Sequence, residues 1–335
     1  MIARILKYSF AQAKTKALKG RLLSAEDQRF LLKCKNLEDV LKYLIGTDYV
    51  KPLSHLPKGK PDAKLISSAL YDELFRDYAK LLKATPKKSA SLLKALLLRY
   101  EAENLKTILR GIWAKISPAD IRFLLYNLGR LSRLPVGRLM RFQKIPEAIE
   151  LLKKMIFYSP LIHALPQFRA QGKLFPLEIA IDITIFEHIV ETLKSLTRHD
   201  RKRAKILIGG LVDFENLCWL VRFRHSYGLS PEEIINYILH GGKRLGISDL
   251  AALARKPDLT SFLKALPQPY GEVLKKAKDW PEFQPLFERW FLIQLYKVFE
   301  KDPFQISLQL SYLLIKEIEV KALEGLVSAL NLGKS

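Results

Sequence analysis

Apolar residues recur three and four positions apart through most of the chain, as in Leu98, Ala102, Leu105, Leu109 and Ile112, the spacing that lines one face of a helix. Alternating or β-branched runs of strand type are scarce. The pattern predicts an all-α protein. Breaks are expected at 51–61, 85–88, 117–118, 160–176, 197–205, 230–231, 267–270 and 302–303, where proline, glycine or clustered charge interrupts the period. Ser230-Pro231-Glu232 and Ser117-Pro118-Ala119-Asp120 read as N-caps with proline at the first helical position, each starting a helix.

The pattern also repeats. Tyr100-Glu101-Ala102-Glu103-Asn104-Leu105 returns 112 residues later as Val212-Asp213-Phe214-Glu215-Asn216-Leu217, and Arg110 then falls on Arg222 and Ser117-Pro118 on Ser230-Pro231. A third copy begins at Glu319, Val320 and Leu323 and stops half finished, while Leu31, Leu37, Leu41 and Leu44 at the other end match Leu139, Ile145, Ile149 and Leu152. The expectation is three similar helical lobes in a pseudo-threefold arrangement: 60–155, 172–270, and a third made of 281–335 completed by 1–49. Glu103, Asn104 and Arg110 are then equivalent to Glu215, Asn216 and Arg222, and their role is read as structural. Asparagine is a poor interior helix former because its amide competes for backbone groups, so Asn104 and Asn216 are expected to tie down a neighbouring loop or helix end. Arg99 with Glu103, and Glu103 with Lys106, have the spacing of exposed helical ion pairs.

Composition narrows the classes. The chain has 335 residues, 56 Lys plus Arg against 34 Asp plus Glu, and a formal net charge of +22. With 49% hydrophobic residues it is too apolar for a disordered protein. Cys34 and Cys218 are too few for a disulfide framework or a cysteine zinc site. The longest uncharged stretch, 155–168, contains Pro160, His163 and Pro166 and is shorter than the roughly 20 residues of a membrane span. The segment MIARILKYSFAQAK has no long apolar run or small-residue cleavage site, so secretion is not expected and the protein is read as cytoplasmic.

Searches for chemistry give little. The six histidines lack metal-ligand spacing, and no Gly-x-Ser-x-Gly or Gly-x-Gly-x-x-Gly occurs. Gly333-Lys334-Ser335 has no helix to follow it, Gly241-Gly242-Lys243 reads as a helix C-terminal cap, and Glu232-Glu233 suits a helix first turn. No catalytic, cofactor or metal site is assigned. The candidate interaction surface is the segment 121–177, where ten basic residues, among them Arg130, Arg133, Arg138 and Arg141, meet only Glu147 and Glu150. Such a patch suits an anionic partner. A basic helical-repeat nucleic-acid-binding protein is the alternative, although no zinc finger, RNP-like strand or basic region leading into heptads is present, and Trp219, Phe223, Trp290 and Phe291 fall at core spacing.

A set of short pieces carries a family resemblance: Tyr8-Ser9-Phe10-Ala11-Gln12-Ala13-Lys14, Leu22-Leu23-Ser24, Thr47-Asp48-Tyr49, Arg99 to Leu105, Asp213-Phe214-Glu215-Asn216-Leu217 with Arg222, Gly241-Gly242 and Lys316-Glu317-Ile318-Glu319. In this order the chain resembles the C subunits of V/A-type ATP synthases, counterparts of the d subunit of the vacuolar proton ATPase. It departs from them in its excess positive charge and in Lys321-Ala322-Leu323, where the other copies have Glu-Asn-Leu. The resemblance implies three helical lobes around a funnel and a non-catalytic rotor part without cofactor or small-molecule ligand. It also implies partners: the central stalk subunits D and F and the membrane ring of c subunits, met peripherally at the cytoplasmic membrane face of a complex that moves protons or sodium.

Overall fold

A computed structural model describes residues 2–57 and 62–333, and among them every regular element is helical. The end of the expected break 51–61 and the pair Lys334-Ser335 lie outside the described residues. The first part of the chain forms α1 (Ile2–Lys19), α2 (Ala25–Leu31), α3 (Leu37–Ile45), α4 (Val50–Leu53), α5 (Ala63–Ala84), α6 (Lys87–Trp113), α7 (Pro118–Leu124), α8 (Val136–Leu139) and α9 (Ile145–Glu150). Then follow α10 (Tyr158–Gln171), α11 (Phe175–Thr192), α12 (Arg198–His225), α13 (Pro231–Ile235), α14 (Ile247–Ala254), α15 (Leu259–Ala265), α16 (Tyr270–Leu274), α17 (Trp280–Tyr296) and α18 (Ile306–Asn331).

Helix starts follow local chemistry. Ser24 and Ser230 close capping boxes with Asp27 and Glu233, and Asn36, Asp62, Thr197, Asp258 and Asp279 each accept from a first-turn amide, a contact worth about 1 kcal/mol. Three expectations need correction. The segment 160–176 is mostly helical: Pro160 lies in the first turn of α10, where no intrahelical donor is required, and Pro166 is carried inside the helix. The charged run 197–205 is the start of α12 rather than a break, because Thr197 caps Asp200 and Arg201 donates to the carbonyls of Leu193, Lys194 and Leu196. Gly241-Gly242-Lys243 caps no helix either.

The contacts group the chain into two compact units, a division by packing that differs in kind from the repeat register. Unit 1 comprises Met1–Thr107, Ala119–Pro135 and Asp302–Ser335; unit 2 comprises Ile108–Pro118 and Val136–Lys301. In unit 1, α18 packs along α5 and against α1 and α3. Residues 306–317 of α18 are all buried, as a helix enclosed on every side must be. Tyr71, Phe75, Tyr100 and Tyr126 form a mostly edge-to-face cluster beside it, with ring centroids 4.6 to 6.2 Å apart. In unit 2, α10 and α11 pair, and α12 packs on α17, α14, α13 and α11. Phe214, Tyr270, Phe287 and Trp290 make the corresponding aromatic cluster.

The loop between α13 and α14 crosses α12 at Gly209, whose carbonyl accepts from the Lys243 amide at 3.1 Å. At Gly242 a Cβ would stand 2.3 Å from Asp213 Oδ1 and 2.7 Å from the Leu245 carbonyl. Close approach, not capping, requires glycine there. Gly242→Ala should therefore lower unfolding stability by about 1–3 kcal/mol in urea titration. Gly137→Ala, whose Cβ would meet nothing within 4 Å, should cost nothing.

Candidate functional site

Each long repeat helix carries a buried carboxylate that a loop must satisfy. On α6, Glu101 Oε2 accepts from the Ser132 hydroxyl at 2.7 Å and the Arg133 amide at 2.9 Å. On α12, Asp213 accepts from the amides of Arg244 and Leu245 at 2.8 and 3.3 Å and from the Tyr270 hydroxyl at 2.6 Å. On α18, Glu319 accepts from the Leu23 amide at 2.7 Å and the Tyr49 hydroxyl at 2.8 Å. Hydrogen bonds to a charged group of this kind are worth about 1.5–3 kcal/mol each.

One turn further on, the asparagines add a second staple. Asn104 accepts from the Tyr126 amide and donates to the Tyr126 carbonyl, both at 2.8 Å. Asn216 does the same to Leu239 at 2.8 and 2.9 Å. Ala322 stands at the third place and has no amide to give. Tyr49 and Tyr270 fall within a residue of each other in the repeat register, where the first copy has Phe157. Glu101 Oε1 is left buried without a partner.

Around α18 the staples merge into an ionic network inside unit 1. Lys316, 2% exposed, donates to Glu319 at 2.7 Å and sits 4.0 Å from the Tyr49 ring centroid. Arg99 donates to Glu317, which Lys321 also meets at 2.9 Å. Tyr312 donates to Asp77, and Lys80 bridges Asp77 and Glu73 at 2.7 and 3.6 Å. Burial alone would raise the Glu317 carboxyl, but Arg99 and Lys321 overcome it and hold the group down at about 2. Burial and the adjacent Glu319 push the Tyr49 hydroxyl well up. Every one of these groups is engaged with another, an arrangement suited to rigidity.

The residues singled out by sequence are distributed as follows. Glu103 pairs with Lys106 at 2.7 Å, although Lys106 is buried rather than exposed. Arg99, expected to pair along its own helix, reaches Glu317 across 218 residues of chain. Arg110 donates to Glu178; Arg222 is exposed over the Phe223 ring at 5.8 Å; Glu215 is half-buried. Arg130, Arg133, Arg138 and Arg141 are all exposed, with Arg130 and Arg133 in unit 1 and Arg138 and Arg141 in unit 2. Among the described residues there is no cluster of metal-ligating side chains, and no helix is long and apolar enough to cross a membrane. Sequence reasoning missed the α18 network; its signal was Thr47-Asp48-Tyr49 and Lys316 to Glu319 standing out as pieces of the family resemblance.

A family model described as ATP synthase (C/AC39) subunit matches residues 11–330. The chain belongs to this family. Relatives include the C subunit of the A-type ATP synthase of Methanothermobacter thermautotrophicus, 25% identical over 96% of this chain and 84% of that protein. The same A-type ATP synthase component of Haloferax volcanii is 26% identical over 92% of this chain and 89% of that protein, and that of Archaeoglobus fulgidus 24% over 95% and 91%. All three stapling carboxylates lie inside the matched C/AC39 region.

Glu317 sets a pH dependence. A carboxyl held at about 2 in the folded chain, against an ordinary 4.5, adds stability that is complete above pH 4.5 and is lost as pH falls through 2, about 3 kcal/mol in all. Glu317→Gln leaves Arg99 without its buried carboxylate and should cost about 3–5 kcal/mol at pH 7. Urea unfolding across pH 2 to 5 should show the wild type and the variant converging as pH falls.

Proposed function

We propose that the chain is a non-catalytic coupling subunit of a rotary V/A-type ATP synthase or ATPase, linking the central stalk, subunits D and F, to the membrane ring of c subunits. On this reading it lies peripherally at the cytoplasmic face and serves proton or sodium transport. The observation that carries the proposal is the recurrent staple: three long helices, at one repeat register, each pinned through a buried carboxylate to a distant loop amide. Three copies of one helical unit, the last made from both chain ends, account for that recurrence. A part that passes torque needs stiffness, and close-packed, internally cross-linked interiors transmit strain.

The exposed arginines supply the contact chemistry. Arg130, Arg133, Arg138 and Arg141 meet no carboxylate near in sequence, and each cation close to an anionic membrane face can contribute about 1 kcal/mol. Reversing all four to Glu should leave helical content unchanged and reduce docking onto isolated membrane sectors at low salt, where screening is weakest. Unchanged docking would remove these residues from the interface. Loss of RNA binding alone would favour a nucleic-acid role instead. The isolated chain should neither bind nor hydrolyse ATP, since no glycine-rich loop precedes a helix; micromolar binding in calorimetry would defeat the non-catalytic assignment.

A further inference from the structure

Among the described residues, one face of α1 in unit 1 is packed and the opposite face is exposed. Tyr8, Ala11, Thr15 and Leu18 of α1 are buried, with the Tyr8 hydroxyl 2.6 Å from Ser89 Oγ and the helix packed on α18 and α5. On the opposite side Ile2, Leu6 and Phe10 are 75%, 74% and 68% exposed, and Ala13 and Ala17 continue the exposed line. Leu6, Phe10, Ala13 and Ala17 are spaced four, three and four apart. This is the a/d seam of a coiled coil. The flanking e and g places are Lys7, Ser9, Lys14 and Lys16, and the helix contains no Asp or Glu at all.

We propose that this face of α1 pairs with one helix of another chain of the complex, a helix with apolar residues at heptad spacing and Asp or Glu at the flanking positions. Charge decides the kind of partner. Residues at e and g choose coiled-coil partners through ion pairs, and a set that is three-quarters lysine attracts an acidic flank. A second copy of this chain would set lysine against lysine, which is unfavourable at these positions. A lipid surface fits less well, because a membrane-seated helix draws its binding from buried apolar area, and here the large side chains give way to Ala13 and Ala17 halfway along. Small seam residues instead allow a second helix backbone to come close. The inference rests on complex membership and stands whether or not the torque role does.

The test uses the assembled complex. A photo-crosslinking amino acid is placed at Leu6 or Phe10, both exposed, and the adducts are mapped by mass spectrometry. The expected result is attachment to one helical segment of a different chain with three-four apolar spacing and acidic flanks. Lys7→Glu, Lys14→Glu and Lys16→Glu together should weaken retention of the chain in the complex about tenfold without changing its circular dichroism. Acid-to-Lys changes on the mapped helix should restore it. Adducts to lipid, to a second copy of this chain, to a non-helical or basic segment, or no adduct at either position, would overturn the proposal, as would unaltered retention of the triple variant. Nucleotide binding plays no part in the readout, so failure here is separable from failure of the coupling role.

Discussion

A carboxylate buried in the middle of a helix has no donor on its own backbone, since the amides around it are already committed to the helical ladder. It must be met from outside, and leaving it unmet costs several kcal/mol. Glu101 and Asp213, both buried, and Glu319, whose side chain is 8% exposed, each impose that demand at the same place in the repeat. The loops that answer it are fixed in consequence: Arg133 and Ser132, Arg244 and Leu245, and Leu23 bring their donors to the helix. Much else follows from these appointments. Gly242 is needed because the Asp213 oxygens leave no room for a Cβ, and Tyr270 and Tyr49 are placed by further lone pairs of the same carboxylates.

The third staple differs from the others in what surrounds it. α18 lacks the asparagine that anchors a second loop on α6 and α12, and it gains charge partners instead: Lys316 on Glu319 and Arg99 with Lys321 on Glu317. The substitution has a geometric reason. The asparagine staples close loops of 22 and 23 residues, whereas Glu319 reaches Leu23 and Tyr49 across 296 and 270 residues. Joining segments so distant in the chain carries a larger loop-closure entropy, though one that grows only logarithmically with length. Several charge-assisted contacts in a low-dielectric interior offset it.

What could be read from the sequence was whatever local spacing encodes. Helical periodicity, the Ser-Pro start at Ser230 and the 112-residue offset follow from spacing alone, and the regular elements among the described residues are helical as the period requires. The asparagines were legible because an amide inside a helix is locally out of place. Arg99 was misassigned for the opposite reason: Glu103, one turn away, satisfies every local rule, and nothing nearby in the chain announces Glu317. The run at 197–205 reads as a break because charge density is the local sign of solvent, yet Thr197 and Asp200 supply a cap that starts α12. Pro166 misled in the same way, since its cost to a helix is local and the packing of α10 on α11 that sustains the helix is not.

The same demands account for the charge. Among the 34 acidic residues, Asp27, Asp62, Asp258, Asp279 and Glu233 are engaged in helix caps, and Glu73, Asp77, Glu101, Asp213, Glu317 and Glu319 are held inside by staples and ion pairs. Carboxylates are the natural choice for such tasks because they accept several amides at once and favour helix N-termini. Lysine and arginine, which only donate, have no comparable use against backbone amides. The capping acids stay mostly exposed, but among the described residues six acids and only two lysines are buried, so the surface is more basic than a net charge of +22 spread evenly would make it. Burial of carboxylates thus leaves an exterior suited to anionic partners, and the lysines flanking the seam of α1 and the exposed arginines between 130 and 141 are two places where cations stand there without acids among them.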